Sequence, residues 1–155
     1  MNDDLRDLYQ DLILDHGKRP RNFRPQEHAN CEAVGHNPFC GDKLILYIAV
    51  SNEGRITDAS FQGSGCAIST ASASMMTEML KGKTAPEARG LLRYFEDLCT
   101  GKEPEAAGLQ EDDVARLQAL AGVRKYPMRV KCATLAWRTL ENALDPKGAE
   151  KARTE

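Results

Sequence analysis

The spacing of apolar residues predicts that the chain begins with an amphipathic helix. Asp3 or Asp4 can cap its start, and Gly17 marks its end. Between them, apolar side chains recur at the three- and four-residue intervals that place them on one helical face: Leu5, Leu8, Tyr9, Leu12 and Ile13. This pattern indicates a helix that packs one face against the rest of the protein.

From Asn30 onward the pattern changes to the two-residue alternation of strands. Residues 43–50 have one uniformly apolar face and one mixed face, and a tight turn at Ser51–Gly54 leads into a second strand over 55–62. Residues 31–36 supply a third strand. We therefore expect three antiparallel strands before the remaining helices.

Helical spacing returns after Cys66 and continues nearly to the end of the chain. The first of these helices stops at Gly82, and Thr84–Glu87 then forms a capping box with a proline in the first turn of the next helix. A short helix follows over 111–121, and Pro127 opens the last one. The apolar positions expected in the core include Met75, Met76, Met79, Phe95, Ala133, Ala136, Trp137, Leu140 and Leu144.

Strands first and helices later predict an α+β fold. We expect a single domain over residues 1–145, with a small three-stranded antiparallel sheet and helices packed on one of its faces. Residues 146–155 are polar and charged, and we expect them to form a disordered tail.

Composition narrows the functional classes. The chain has 155 residues and a formal net charge of −2, which gives no support for binding to nucleic acid or to an anionic membrane. No signal peptide is recognisable, and the longest apolar run, Leu44 to Val50, is far shorter than the ~20 residues of a membrane span. Five cysteines do not form the framework of a small secreted scaffold. We expect a reduced protein of the cytoplasm.

Four residues could form a metal site. Cys40 and Asp42 flank Gly41 at the entrance to a strand, where a period of two sends both side chains to the same side. Cys66 follows two glycines at a helix start, whose free N–H groups favour a thiolate, and Cys132 is expected to occupy another helix start. Three thiolates and a carboxylate suit zinc, and thiolates also suit iron–sulfur clusters. Because no C-x-x-C pair occurs, the spacing is equally compatible with cysteines that only fill space.

The other candidates favour structural roles. Cys99 falls on the apolar stripe of its helix and Cys31 on a strand, where cysteine behaves as a small hydrophobic residue. Each histidine is expected to cap a turn or to face water rather than to bind metal: His16, His28 and His36.

Two groups of basic residues remain open to two interpretations. Arg129 and Lys131 could favour the thiolate of Cys132, or could be ordinary surface residues. The basic segment 18–25, interrupted by two prolines, is either a solvated connector or a docking strip for an acidic partner.

Four segments, taken in order along residues 1–145, resemble the U-type iron–sulfur cluster assembly proteins, which include IscU, SufU and the N-terminal part of NifU. They are Asp15-His-Gly-Lys-Arg-Pro-Arg-Asn22, Asn37-Pro-Phe-Cys-Gly-Asp42, Gly63-Ser-Gly-Cys-Ala-Ile-Ser69 and Lys131-Cys-Ala-Thr-Leu-Ala-Trp137. The resemblance implies the SufE/NifU-like version of the α+β fold.

Within this family the chain is most similar to the SufU branch. Lys131 occupies the position at which IscU has a histidine ligand, and residues 126–130 lack the Leu-Pro-Pro-Val-Lys motif that IscU offers to its chaperone. An additional segment, roughly Thr100–Val123, also fits SufU.

The resemblance implies that Cys40, Asp42, Cys66 and Cys132 bind one zinc ion. It further implies a pyridoxal-phosphate cysteine desulfurase of the SufS type as partner, with Cys40 as the acceptor of persulfide sulfur and Cys132 as second choice. Downstream partners would be SUF assembly proteins or apo iron–sulfur proteins. The chain would then be a sulfur carrier, and at most a zinc-dependent sulfurtransferase that acts with its desulfurase.

Three other functions are considered. The same four residues could assemble a 2Fe–2S cluster, which would make the chain a scaffold. A small interaction module with structural zinc is disfavoured, because a core of this size should fold without metal. A thiol hydrolase is disfavoured because no histidine lies in a recognisable base context.

Overall fold

A computed structural model describes residues 3–38, 41–105, 108–144 and 152–153, and within these ranges the side chains of residues 11–144. The element bounds are α1 Asp3–Lys18, β1 Cys31–Asn37, β2 Asp42–Val50, β3 Ile56–Ser64, α2 Ala67–Leu80, α3 Ala85–Cys99, α4 Glu111–Leu120, a 3₁₀ helix Ala121–Lys125, α5 Pro127–Leu144 and β4 Ala152–Arg153. Among these helices of the described ranges, none has the length and apolar character needed to cross a membrane.

The three expected strands form the expected antiparallel sheet. β2 is the central strand of the three, paired with β1 on one side and with β3 on the other. The two residues of β4 add a short parallel pairing to the free edge of β1, which gives the order β3-β2-β1-β4. The predicted disorder of residues 146–155 otherwise lies outside the described residues and stays a prediction.

One face of the sheet carries the core, as the alternation in β2 predicts. Leu44, Leu46 and Ile48 are buried, whereas Lys43 on the opposite face is exposed. α2 and α5 pack against the buried face, and α1 packs against α2. The methionines of α2 and Trp137 of α5 are fully buried in this core, as expected. The α+β architecture is therefore confirmed.

Small residues allow α2 and α5 to approach closely. The Ser72 hydroxyl donates a hydrogen bond to the Ala133 carbonyl at 2.5 Å, and it accepts one from the Trp137 indole at 3.2 Å. Ser72 is completely buried, so both bonds are made without competition from water. This contact fixes the position of α5, and with it that of Cys132, relative to α2.

The predicted capping box at the start of α3 is present, with the Thr84 side chain bound to the Glu87 amide. The additional segment of 100–123 contributes α4 to the fold. The Lys83 ammonium lies 2.8 Å from the Asp113 carboxylate in a nearly buried ion pair, which attaches α4 to the turn between α2 and α3.

His16 differs from its prediction. It neither caps a turn nor faces water: it is 4% exposed, its Nδ1 lies 2.7 Å from the Ser74 hydroxyl, and its Nε2 lies 3.5 Å from Glu78. The Arg21 amide donates a second hydrogen bond to the same hydroxyl. The imidazole is therefore an internal link between the end of α1 and α2, and the helical pattern failed to show this because it scores histidine as polar.

Two of the four basic residues in the segment 18–25 form ion pairs within the chain. The Arg21 guanidinium lies 2.5 Å from the Asp15 carboxylate, and Arg24 binds Asp58 at 2.7 Å. Both ion pairs anchor the segment to neighbouring elements. Of the two interpretations offered by the sequence, the structure supports the connector.

Gly35 provides a test of how tightly α5 packs on the sheet. A Cβ built at this position would lie well inside contact distance of Thr139 Oγ1 and 3.1 Å from Leu135 Cδ1. We expect Gly35→Ala to lower the free energy of unfolding by about 1–3 kcal/mol in urea titrations, because overpacking a buried contact forces side chains from their rotamers.

Gly122→Ala is the matched control, since a Cβ there meets no atom within 4 Å. Adding Thr139→Ala to Gly35→Ala should recover part of the loss by removing the colliding oxygen. Equal stabilities of Gly35→Ala and Gly122→Ala would contradict the packing described here.

His16 makes the stability depend on pH. Burial is the largest cause that lowers the pKa of His16, with the nearby Arg21 and Arg116 acting in the same direction and Glu78 and Asp15 opposing them. The unfolded chain therefore binds a proton more readily than the native one. The resulting stability is fully present above about pH 6.5 and is lost as the pH falls toward the depressed native value.

We expect the free energy of unfolding of the wild type to fall between about pH 7.5 and pH 5.5 more steeply than that of His16→Asn. Asparagine offers a similar hydrogen-bonding group at the position of Nδ1 but does not titrate. Parallel slopes for the two proteins in urea titrations would show that His16 has no such role.

Candidate metal centre

Asp42 holds its carboxylate between the sheet and the start of α2. It is the first residue of β2 and is 1% exposed. Its Oδ1 accepts a hydrogen bond of 2.9 Å from the Cys66 amide, whereas its Oδ2 is buried and has no hydrogen-bond partner among the described residues. A buried carboxylate oxygen without a partner is costly unless a proton or a cation satisfies it. Asp42 is thus arranged to present one oxygen to a cation.

Glycines allow the carboxylate and the chain after β3 to come this close. A Cβ on Gly65 would lie 2.7 Å from Asp42 Oδ1, and Gly63 adopts φ +151° where the chain passes the backbone of Lys43. A side chain at either position would push the segment that carries Cys66 away from Asp42. The two glycines before Cys66 are therefore a geometric requirement of the site.

Cys66 is the N-cap of α2, as the sequence predicts. Its sulfur accepts a hydrogen bond of 3.5 Å from the Ser69 amide, in the place where serine or aspartate usually provides an oxygen. The first turn of a helix carries a partial positive charge, which favours negative groups such as the Cys66 and Asp42 side chains.

Cys132 reaches the site from within α5 rather than from its start. It is the sixth residue of α5, which begins at Pro127, so it belongs to the second helical turn, and the expectation of a helix-start cysteine is wrong. Its fully buried side chain interacts with the Met128 carbonyl at 3.8 Å, four residues earlier. Helical side chains lean toward the N-terminus of their helix, which is why its sulfur still reaches the end of α5 near Cys66.

The ligand atoms of Asp42, Cys66 and Cys132 all lie within 4.8 Å of one another. Three of the four residues predicted for the site are thereby brought together across some ninety residues of chain. The fourth, Cys40, lies outside the described residues, although its neighbours Gly41 and Asp42 are described. Two sulfur atoms and one carboxylate oxygen at this spacing are a donor set that zinc or an iron–sulfur cluster can use.

An open cavity of about 680 Å³ lies beside these ligands. Its lining includes Asp42, Cys66, Met128 and Arg129. A hydrogen bond to the Cys132 sulfur, together with the negative charges of the Cys66 and Cys132 thiolates, raises the pKa of Arg129. Of the two cations considered from the sequence, Arg129 is thus the one at the site.

Lys131 does not line the cavity beside the ligands. It lines a separate groove of about 320 Å³ between the end of α3 and α5. Met128, in contrast, was not considered from the sequence, yet it borders the cavity and is 72% exposed. Its position four residues before Cys132 in a helix was the signal that could have identified it.

The cysteines expected to be structural behave as such. Cys99 is buried in the core, and burial raises the pKa of its thiol to about 11. Burial also raises the pKa of Cys31, which lies on β1 as predicted. Neither thiol belongs to the Asp42–Cys66–Cys132 group.

Comparison with known proteins gives the family. Residues 8–133 match the model of the NifU-like N-terminal domain. The chain belongs to this family. The family expected from the sequence motifs is therefore confirmed.

Individual relatives cover nearly the whole chain. The zinc-dependent sulfurtransferase SufU of Bacillus subtilis is 40% identical over 143 residues, which span 92% of this chain and 93% of SufU. The iron–sulfur cluster assembly scaffold protein IscU of Streptococcus pyogenes is also 40% identical, over 90% of this chain and 84% of its own. Sequence identity alone therefore does not separate the two branches.

A crystal structure from Fervidobacterium islandicum has the same fold. That protein is described as a candidate iron–sulfur cluster assembly scaffold for the SUF system, and it aligns with a TM-score of 0.80 and 36% identity, over 90% of this chain and 98% of its own. The α+β architecture is thus shared with a solved family member.

Asp42 gives a prediction in which metal affinity and stability change in opposite directions. In Asp42→Asn, the amide oxygen can still accept the Cys66 hydrogen bond, but the unpartnered anionic oxygen is lost. We expect the metal-free variant to be at least as stable as the metal-free wild type in urea titrations, because a buried charge without a partner destabilises the native state.

Zinc affinity, measured by competition with a chromophoric chelator, should fall by at least about tenfold in the same variant. Asp58→Asn is the control, since Asp58 lies on β3, pairs with Arg24 and does not belong to the ligand group. Unchanged zinc affinity in Asp42→Asn would exclude the carboxylate from the site.

Proposed function

We propose that this chain is a zinc-binding sulfur acceptor of the SUF type, which takes persulfide sulfur from a SufS-type cysteine desulfurase. The observation that carries the proposal is the convergence of Asp42, Cys66 and Cys132 within 4.8 Å, with one Asp42 oxygen buried and unpartnered. The name of the Bacillus relative, a zinc-dependent sulfurtransferase, supports the same choice of metal and reaction.

Asp42, Cys66 and Cys132 would hold the zinc together with Cys40. When bound, zinc would keep the coordinating thiols deprotonated and protected from oxidation. The chain contributes the arrangement: the Ser69 amide holds the Cys66 sulfur, and the Cys66 amide holds the carboxylate. A carboxylate among thiolates is the hard ligand of the set, and it would tune how readily one sulfur leaves the metal.

Cys40 is the proposed acceptor. It precedes Gly41, whose φ of +74° shows that this loop uses a backbone conformation open to glycine. Cys132, the second choice, is fully buried, so a partner's persulfide would reach it only after a rearrangement. The burial of Cys132 therefore argues against it as the first acceptor.

The transfer itself is an exchange between sulfur atoms. The acceptor thiolate attacks the terminal sulfur of the desulfurase persulfide, a new S–S bond forms on this chain, and the original S–S bond breaks. The desulfurase cysteine leaves as a thiolate, so charge is conserved and no external oxidant or reductant is needed. The chain acts as a carrier, from which SUF assembly proteins or apo iron–sulfur proteins would receive the sulfur or the finished cluster.

A scaffold role is the alternative, supported by the 40% identity to a relative named as a scaffold. The same donor set would then hold a 2Fe–2S cluster. Lys131 stands where IscU has a histidine, and its side chain lines a different groove, which favours the acceptor role over the scaffold role.

The acceptor role is tested with a SufS-type desulfurase, cysteine and the purified zinc-loaded chain. We expect the wild type to stimulate desulfurase turnover and to gain the mass of one sulfur atom, whereas Cys40→Ala does neither. Cys31→Ala, which removes a partly buried thiol on β1, is the matched control and should behave as wild type. A persulfide on Cys40→Ala together with full stimulation would refute the acceptor assignment.

Anaerobic reconstitution with iron and sulfide separates the two functions. The acceptor role predicts that zinc-loaded protein forms no stable cluster. A stable cluster that passes intact to an apo-ferredoxin would instead establish the scaffold role.

A further inference from the structure

Arg129 is an exposed cation at the edge of the Asp42–Cys66–Cys132 group. It lies in the first turn of α5 and is exposed, yet it lines the cavity next to Asp42 and Cys66. Its interactions with the Cys132 and Cys66 sulfur atoms raise the pKa of Arg129. A cation that is open to solvent on one side and faces two sulfur atoms on the other can meet an incoming anion without moving far.

The cavity otherwise carries only negative charge. Asp42 and the two thiolates are anionic when they bind metal, and of the described residues only Arg129 contributes a positive charge to the cavity lining. A persulfide is more acidic than a thiol, so its terminal sulfur is anionic at neutral pH. Without a compensating cation, that sulfur would approach a cluster of like charges, which is unfavourable.

We propose that Arg129 binds the anionic terminal sulfur of the incoming persulfide and holds it in the cavity during its transfer to this chain. Two N–H groups of a planar guanidinium can contact the terminal sulfur and a ligand sulfur at once. In the exchange described above, the guanidinium holds the sulfur that changes partners, while the donor cysteine departs as a thiolate.

This inference rests on the proposed acceptor function and adds a residue to it. It differs from a metal-holding role in one measurable respect. A positive charge next to the ligands repels a zinc cation, but it also favours the thiolate forms that bind zinc, so the two effects of its removal oppose each other. We therefore expect zinc affinity to change much less than the rate of sulfur uptake. A residue that only supported the metal site would, on removal, slow sulfur uptake only to the extent that the protein loses zinc.

The test uses the full chain with zinc bound and three variants. Arg129→Gln removes the charge, and Arg129→Lys keeps the charge but loses the planar pair of donors. Arg124→Gln is the matched control, because Arg124 is an exposed cation of the preceding 3₁₀ helix that does not line the cavity. Each variant is assayed for zinc affinity by chelator competition and for sulfur uptake by mass spectrometry.

Two sulfur donors make the outcome independent of the partner. One is a SufS-type desulfurase with cysteine, and the other is glutathione persulfide in a single-turnover experiment without any desulfurase. We expect Arg129→Gln to slow sulfur uptake from both donors by about tenfold, a modest factor because solvent reaches the guanidinium. Arg129→Lys should recover part of the rate, and Arg124→Gln should match the wild type.

The separate readouts decide between roles. Weaker zinc binding in Arg129→Gln, with normal sulfur uptake once the variant is saturated with zinc, would overturn the inference in favour of a structural role. A higher KM of the desulfurase for Arg129→Gln, with unchanged kcat and normal uptake from glutathione persulfide, would overturn it in favour of docking. Normal uptake from both donors would overturn it outright. If the wild type accepts no sulfur from either donor, the proposed function itself fails, which is a distinct result.

Discussion

The hydrogen bond from the Cys66 amide to the Asp42 carboxylate is the contact on which the ligand group depends. It joins the first residue of β2 to the N-cap of α2, two positions separated by β2, a turn and β3. The bond satisfies one carboxylate oxygen and leaves the other unpartnered, and it can form only because glycine precedes Cys66. Sheet register, loop geometry and ligand orientation are thus determined together.

The third ligand is positioned by the core. The Ser72 hydroxyl bonds both the Ala133 carbonyl and the Trp137 indole, so α2 and α5 are held at a fixed separation two helical turns from Cys66. Cys132 directly precedes Ala133, and its sulfur is therefore fixed relative to Cys66 by packing rather than by metal. The apolar core and the site share the same pair of helices, which is why core contacts control the spacing of the sulfur atoms.

Periodicity was sufficient to predict most of the fold. Alternation in β2 and the capping box before α3 are local features, and local features report directly on backbone conformation. Cys132 was expected at the start of α5 but lies in its second turn, because the predicted helix start at Pro127 was correct but was not used to count the turns. Its sulfur nevertheless reaches the site because helical side chains lean toward the N-terminus of their helix.

The site was harder to predict from spacing than from family motifs. Nothing in the amino-acid sequence shows that the Asp42 carboxylate accepts a hydrogen bond from the Cys66 amide. The spacing of the cysteines was equally compatible with a shared metal site and with isolated cysteines. His16 was misassigned for a related reason. Its burial depends on Ser74 and Glu78, about sixty residues away, and no local pattern predicts such a partner.

The way the fold positions the three ligand residues also argues against a purely structural metal. Asp42, Cys66 and Cys132 each belong to or cap an element that packs on a continuous apolar core, which includes Leu46 and Trp137. Small domains that need zinc to fold lack such a core, and their ligands converge only when the metal binds. Here the ligand atoms are already within 4.8 Å through hydrogen bonds and packing alone. A site preformed in this way can exchange a ligand with a partner without unfolding, which is the property that a sulfur carrier requires.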